Sequence, residues 1–238
     1  MELTFLGRGA GFNPAEGSTA AYFIDSGEMF LIDSGESTFH TIMNKKILDS
    51  VSRLNLMITH THSDHVGSLG TLMLYAFAVK KMDVSIIVDE NMRCLPSLKS
   101  LLKIYGLAKN MYRFADASEY SGKYSLFSRI SYVKTEHCKE LETCAIQFDT
   151  KKGIVFYTGD ISDLAPLAAL FNSSLKIDKI YADTNNDRNP NPHHITIHQL
   201  NDIVPKKLRS RIYCMHLKNR QCIKEAHDYG FEVVSRIK

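Results

Sequence analysis

The segment Thr59-His60-Thr61-His62-Ser63-Asp64-His65-Val66-Gly67 follows Leu54, Leu56, Met57 and Ile58, which read as the end of a buried strand. Alternate side chains of an extended segment share a face, so His60 and His62 point the same way. The chain then turns at Ser63 and offers Asp64 and His65 from a different angle. Two pairs of ligands aimed from one turn suit two metal ions lying side by side, ~3.5–4 Å apart. Imidazole and carboxylate donors suit Zn, Mn or Fe. A histidine-rich surface loop is the plainer alternative, but His-x-His-x-Asp-His directly after an apolar strand argues against it.

Outward from this run, four further strand-end segments carry metal-capable side chains. Phe30-Leu31-Ile32-Asp33-Ser34-Gly35 supplies Asp33, and Ile130-Ser131-Tyr132-Val133-Lys134-Thr135-Glu136-His137 supplies His137. Val155-Phe156-Tyr157-Thr158-Gly159-Asp160 supplies Asp160, and Arg211-Ile212-Tyr213-Cys214-Met215-His216 supplies His216. In this order the five elements resemble the pattern of the metallo-β-lactamase superfamily, and the resemblance covers nearly the whole chain. It implies an α/β fold, a four-layer αββα sandwich with metals at one edge, and a single domain over residues 1–238. It also implies that His60, His62 and His137 hold one metal, that Asp64, His65 and His216 hold the other, and that Asp160 bridges them. Asp33 then accepts a hydrogen bond from a metal-binding histidine and fixes its tautomer. The nucleophile implied is a metal-bridging hydroxide, so no Ser or Cys nucleophile is needed, and Asp64 counts as catalytic as well as metal-binding. Two divalent ions are expected, with Zn ahead of Mn or Fe.

One later segment speaks to substrate. Ile180-Tyr181-Ala182-Asp183-Thr184 is followed by Pro192-His193-His194-Ile195-Thr196-Ile197-His198. Ribonuclease Z and related phosphodiesterases of the superfamily place an acidic residue at a comparable strand end and a later His-x-Thr at a helix start. His194-Ile195-Thr196 matches that element, and Asp183 stands where those enzymes commonly have Glu. By that resemblance His194 protonates a leaving alkoxide and Asp183 orients it, whereas His193 and His198 read more simply as helix decoration. The chain departs from ribonuclease Z between His137 and Asp160. Only 22 residues (138–159) lie there, enough for a hairpin and too few for that enzyme's long transfer-RNA-gripping arm. The expected activity is therefore a binuclear-metal phosphodiesterase acting on a small or cyclic phosphodiester or a short RNA end. A ribonuclease Z-like transfer-RNA 3′ endonuclease and a lactonase or β-lactamase-type hydrolase are the alternatives. The segment Asp89–Tyr120 is a candidate cover for the cleft, and its Arg93, Lys99, Lys103, Lys109 and Arg113 read as a solvated charged face rather than as phosphate contacts.

Bulk properties agree with an ordinary globular protein. Among 238 residues, 44% are hydrophobic and 23% charged, and the net charge of +3 permits an anionic substrate. No dense basic block demands a folded nucleic acid. Five cysteines without regular spacing argue against a disulfide framework. Cys214 reads as a small buried residue. No apolar stretch approaches the ~20 residues of a membrane span, so a cytoplasmic location is expected; a homodimer is left open.

Strands are predicted over 2–6, 20–25, 29–33, 83–88, 124–133, 144–149, 153–158, 179–182 and 211–215. Helices are predicted over 38–54, 68–80, 96–105, 164–171 and 196–204. Gly7-x-Gly9-x-Gly11 lacks the third glycine of a dinucleotide fingerprint and runs into Phe12-Asn13-Pro14. It reads instead as a loop that lets backbone pass close to the metal cleft.

Overall fold

A computed structural model describes residues 1–189 and 191–237. Two mixed sheets stack face to face, each with helices on its outer side. The first sheet holds β1 (Thr4–Gly7), β2 (Ala20–Asp25), β3 (Glu28–Ile32), β4 (Arg53–Met57), β5 (Asp83–Val88) and β6 (Arg113–Asp116), in that order. The second holds β7 (Arg129–Cys138), β8 (Leu141–Thr150), β9 (Gly153–Tyr157), β10 (Ile177–Asp183), β11 (Ile212–Met215) and β12 (Glu232–Val233). Each sheet starts as antiparallel hairpins and continues parallel, from β3 to β6 and from β9 to β12.

The residue patterns explain this division. Parallel strands covered on both faces need continuous apolar runs, and Met29–Ile32 and Leu54–Met57 are buried at every position. β7 borders the second sheet and alternates between exposed and buried residues. Between the sheets the core is aromatic: Phe23 stands edge-on to Phe148 at 5.6 Å, and Phe5 stacks on Tyr157 at 6.4 Å. Helices α1 (Thr38–Asn44), α3 (Leu69–Ala78) and α4 (Leu95–Ile104) bury Ile42, Leu72, Met73, Leu98 and Leu102 in the core that includes the first sheet; the short α2 (Ser63–Val66) lies between α1 and α3. Helices α5 (Ala165–Asn172), α6 (Ile197–Ile203) and α7 (Gln221–Asp228) cover the far face of the second sheet through Leu167, Leu200 and Ala226.

The helix expected over 38–54 stops at Asn44. Lys46 takes a left-handed backbone (φ 52°), a 3-10 turn follows at Ile47–Ser50, and β4 begins at Arg53. The apolar stripe that suggested a longer helix is nevertheless inward-facing, since Ile42, Ile47 and Leu48 are all buried. Strand β6, helix α7 and strand β12 were not anticipated. Each is short or carries few apolar residues, so periodicity gives little signal. The 89–120 segment is not a cover for the cleft. It supplies α4 and the edge strand β6, where Arg113 pairs with Glu119 and Lys99 lies over Phe114. No helix among the described residues is long and apolar enough to cross a membrane.

Asp33, His60, His137, Asp160, Asp183 and His216 all lie at or just beyond the carboxyl ends of strands, β3, β4, β7, β9, β10 and β11 respectively. This is the edge at which α/β sheets open a crevice.

Candidate metal centre

At the end of β4 the chain stays extended through His62, then enters α2 at Ser63. That switch produces the two aims expected from the sequence. His60 Nε2 lies 3.1 Å from His62 Nδ1, which lies 3.2 Å from His137 Nε2. Asp160 Oδ2 faces this group at 3.9 Å from His60 and 3.8 Å from His137. On the other side His216 Nε2 stands 3.3 Å from both Asp64 Oδ2 and Asp160 Oδ2, and His65 Nε2 stands 3.6 Å from Asp64 Oδ2 and 3.2 Å from Asp160 Oδ1. Two clusters result, one of three histidines and one of Asp64, His65 and His216, with Asp160 common to both.

The far nitrogen of most of these rings is engaged, which fixes the ring that faces inward. His65 Nδ1 donates to Asp33 Oδ2 at 2.8 Å. Thr59 donates to the same carboxylate from its backbone N–H and its hydroxyl, both at 2.8 Å, and that hydroxyl lies 3.1 Å from His60 Nδ1. Asp33 thus orients His65 directly and His60 through Thr59. His137 Nδ1 donates to the His193 carbonyl. His216 Nδ1 faces Asp183 Oδ1 at 3.3 Å. With Nδ1 carrying the proton, Nε2 of His60, His137, His65 and His216 presents a lone pair, whereas His62 turns Nδ1 inward and offers its lone pair there with the proton on Nε2. Lone pairs of His60, His62 and His137 then point at one another, an arrangement that repels unless a cation sits among them. Tetrahedral Zn bonded to nitrogen at ~2.0 Å implies ligand separations of roughly 3.3 Å, close to those found. Buried His65 Nε2 and Asp160 Oδ1 have no hydrogen-bond partner among the described residues, as atoms reserved for a cation would not. The donor set therefore fits two divalent ions.

Electrostatics separate the clusters. Burial lowers the pKa of His60, His62 and His137 despite the pull of nearby carboxylates, so the first cluster is neutral imidazole ready to coordinate. Burial opposes charge on His216 too, but Asp160, Asp183 and Asp64 override it and raise its pKa to about 10. His65 is likewise raised in spite of burial, by Asp160 and Asp33. Four carboxylates around the second cluster call for compensating positive charge, which protons supply when metal does not.

Local backbone serves this arrangement. Asp33 (φ 61°) and His216 (φ 54°) both occupy the left-handed region, a sparsely populated conformation for non-glycine residues that turns each side chain back into the crevice. Gly35 admits no side chain: a Cβ there would lie 1.9 Å from the Asp64 carbonyl oxygen.

His194 and Asp183 meet as the sequence suggested. His194 Nδ1 donates to Asp183 Oδ2 at 2.8 Å, and the ring lies 4.9 Å from His137 and 5.0 Å from His216. Burial would lower the His194 pKa, yet Asp183 raises it. Asp183 does more than expected, because its other oxygen faces His216. His193 borders the cleft, whereas His198 bonds Tyr229 Oη in a different hollow. Cys214 is fully buried beneath the outer face of the second sheet. The cleft itself is a cavity of about 540 Å³. Its wall includes Phe12, Cys138 and Glu140, which sequence reasoning missed. The glycine-rich loop just before Phe12 was the available signal for that residue, while nothing in the spacing marks Cys138 or Glu140.

Fold and crevice together define a metallo-β-lactamase-fold protein. Within that class the chain belongs to the family described as Anti-Pycsar protein Apyc1, whose model matches residues 1–237. It is also similar to the Bacillus subtilis metallo-β-lactamase fold protein YhfI, with a TM-score of 0.73 at 16% identity over 98% of this chain and 95% of that one. The short form of human tRNase Z superposes with a TM-score of 0.65 at 18% identity, covering 99% of this chain and 96% of that one. Ribonuclease Z of Staphylococcus carnosus is 36% identical over 78 residues, which are 31% of this chain and 25% of that enzyme. The chain thus matches about a quarter of the length of that curated relative.

Proposed function

We propose that residues 1–238 act as a binuclear-metal phosphodiesterase whose substrate is a small or cyclic phosphodiester or a short RNA end. The observation that carries this reading is the His194–Asp183 pair beside the two clusters. Amide or lactone hydrolysis needs the clusters but not a carboxylate-backed imidazole aimed at a leaving alkoxide. Divalent ions, when bound, supply Lewis acidity and a hydroxide nucleophile near neutral pH.

The residues around them divide the remaining work. Asp33 and Asp183 hold His65 and His216 with Nε2 turned inward, so the clusters keep their shape. Asp183 also favours the protonated form of His194 by accepting from Nδ1, which leaves an Nε2–H for the cleft. That N–H can bind a non-bridging phosphate oxygen and then pass its proton to the departing oxygen. Gly35 lets the Asp64 backbone approach closely, and Gly11 lets the first loop lie against the Asp64 carboxylate.

The ribonuclease Z relatives make a transfer-RNA 3′ endonuclease the second reading. Against it stands the interval 138–159, which β8, β9 and their turns fill, leaving no protruding arm. Remote contacts are what let a folded RNA lower its own barrier.

Parallel turnover of bis(p-nitrophenyl) phosphate, a lactone and a cephalosporin by metal-loaded protein tests the reading. Phosphodiester cleavage should dominate, and equal or greater lactone or cephalosporin turnover would refute it.

A further inference from the structure

Phe12 is the most solvent-exposed of the large apolar side chains described, with a relative accessibility of 105%. A lone exposed phenylalanine is ordinary on a protein surface. This one borders the cavity that the metal-cluster residues line. Its loop is also fastened on both sides. Gly9 N–H donates to the Gly17 carbonyl at 2.8 Å, Ala10 N–H to the Leu217 carbonyl at 3.1 Å, and the Asn13 side-chain amide to the same Leu217 oxygen at 2.8 Å. Leu217 directly follows His216. At Gly11 a Cβ would come within 2.9 Å of Asp64 Oδ2, so the loop backbone rests against the cluster itself. The ring is therefore presented at the mouth by a backbone anchored to the same segments that carry His216 and Asp64, rather than by a free loop.

The rest of the wall is mainly imidazole and carboxylate, with Ala10, Gly11, Ser63 and Cys138 as small additions. A phosphodiester whose phosphate lies over the clusters has a substituent extending toward the rim, where Phe12 offers the one large apolar surface among the described residues that line the cavity. A flat heterocycle can stack on it with either face and without matched hydrogen bonds. A cavity of about 540 Å³ is ample for a mononucleotide.

Resting on the phosphodiesterase reading above, we propose that Phe12 is a specificity-determining residue, the stacking platform for a nucleobase carried by the phosphodiester substrate.

The test compares wild type, Phe12→Ala and Phe12→Tyr, metal-loaded, on adenosine 3′,5′-cyclic phosphate and on the base-free methyl riboside 3′,5′-cyclic phosphate. Phe12→Ala should raise KM for the adenosine diester about tenfold with little change in kcat, the scale of one lost base–aromatic stack. Phe12→Tyr should restore it, and the base-free diester should not share the loss. Calorimetric titration with adenosine 5′-monophosphate and with ribose 5-phosphate gives a readout independent of turnover. The adenosine ligand should bind more tightly to wild type, and Phe12→Ala should erase that difference. Equal losses on base-bearing and base-free ligands would overturn the proposal, as would no preference for the adenosine ligand. A change of oligomeric state in Phe12→Ala by sedimentation would overturn it too, by showing that a second copy covers the ring. Should wild type cleave neither diester, the phosphodiesterase reading fails while the titration still decides the role of Phe12.

Discussion

The two clusters that share Asp160 are built on opposite electrostatic plans. The first, His60, His62 and His137, consists of neutral rings, and the outer nitrogens of His60 and His137 meet a hydroxyl and a backbone carbonyl. The second, Asp64, His65 and His216, contains a carboxylate and sets each imidazole against another, Asp33 or Asp183. A carboxylate behind an imidazole makes it a more basic ligand and fixes its orientation. Nitrogen-rich cluster one should favour zinc by donor type, while cluster two should hold a cation through charge and accept a harder ion such as Mn. His62 is the least supported ring, half-buried, with only Cys138 Sγ, 3.9 Å away, near its outer nitrogen.

The contrast can be broken most severely at the shared residue. Asp160→Ala should disturb both clusters and lower turnover by roughly 10³-fold, a loss of about 4 kcal/mol of transition-state stabilisation. Metal content should fall with it, and retention of both ions by that variant would show that Asp160 joins nothing. His194→Ala should cost about 10²-fold in phosphodiester turnover while metal content stays at the wild-type value, as expected for a lost general acid. Unchanged activity would return His194 to a passive role.

Asp33→Asn and Asp183→Asn remove the carboxylates that set the second cluster apart. Each should weaken metal retention about 10- to 100-fold in the second cluster, measured by competition with a chelator. Asp183→Asn should also depress turnover because it serves His194 and His216 together. Thr59→Val removes the relay to His60 and should have a smaller effect, confined to the first cluster. Equal weakening by Thr59→Val and Asp183→Asn would erase the distinction drawn here. The smallest contrast concerns substrate size: small diesters should be cleaved faster than a precursor transfer RNA under one metal and salt condition. Site-specific trimming of that RNA with little small-diester activity would mean that another surface replaces the missing arm.

The site was more legible in the sequence than the outer layers were. Metal-capable residues cluster because chemistry demands several donors in little space, so His60, His62, Asp64 and His65 stand out along a few residues, whereas the distant His137, Asp160 and His216 were marked only by resemblance to the superfamily's pattern. Buried parallel strands such as β3 and β5 are equally plain, since both faces must be apolar. Helix α7 has few apolar residues to report its period, and β6 occupies four residues at an edge. The false extension of α1 came from reading inward-facing residues as one helical stripe, when a left-handed Lys46 redirects the chain and keeps those residues buried. The second duty of Asp183 depends on how β10 and β11 pair side by side, which no local pattern encodes.

Metal stoichiometry shows whether both clusters hold an ion. Protein purified without chelator, or reloaded with zinc and freed of excess ion, should contain close to two equivalents per chain by elemental analysis. His62→Ala and His216→Ala should each lower that value toward one, from opposite clusters. A wild-type content that stays near zero after loading, or that reaches one and does not fall in either variant, would contradict the binuclear centre.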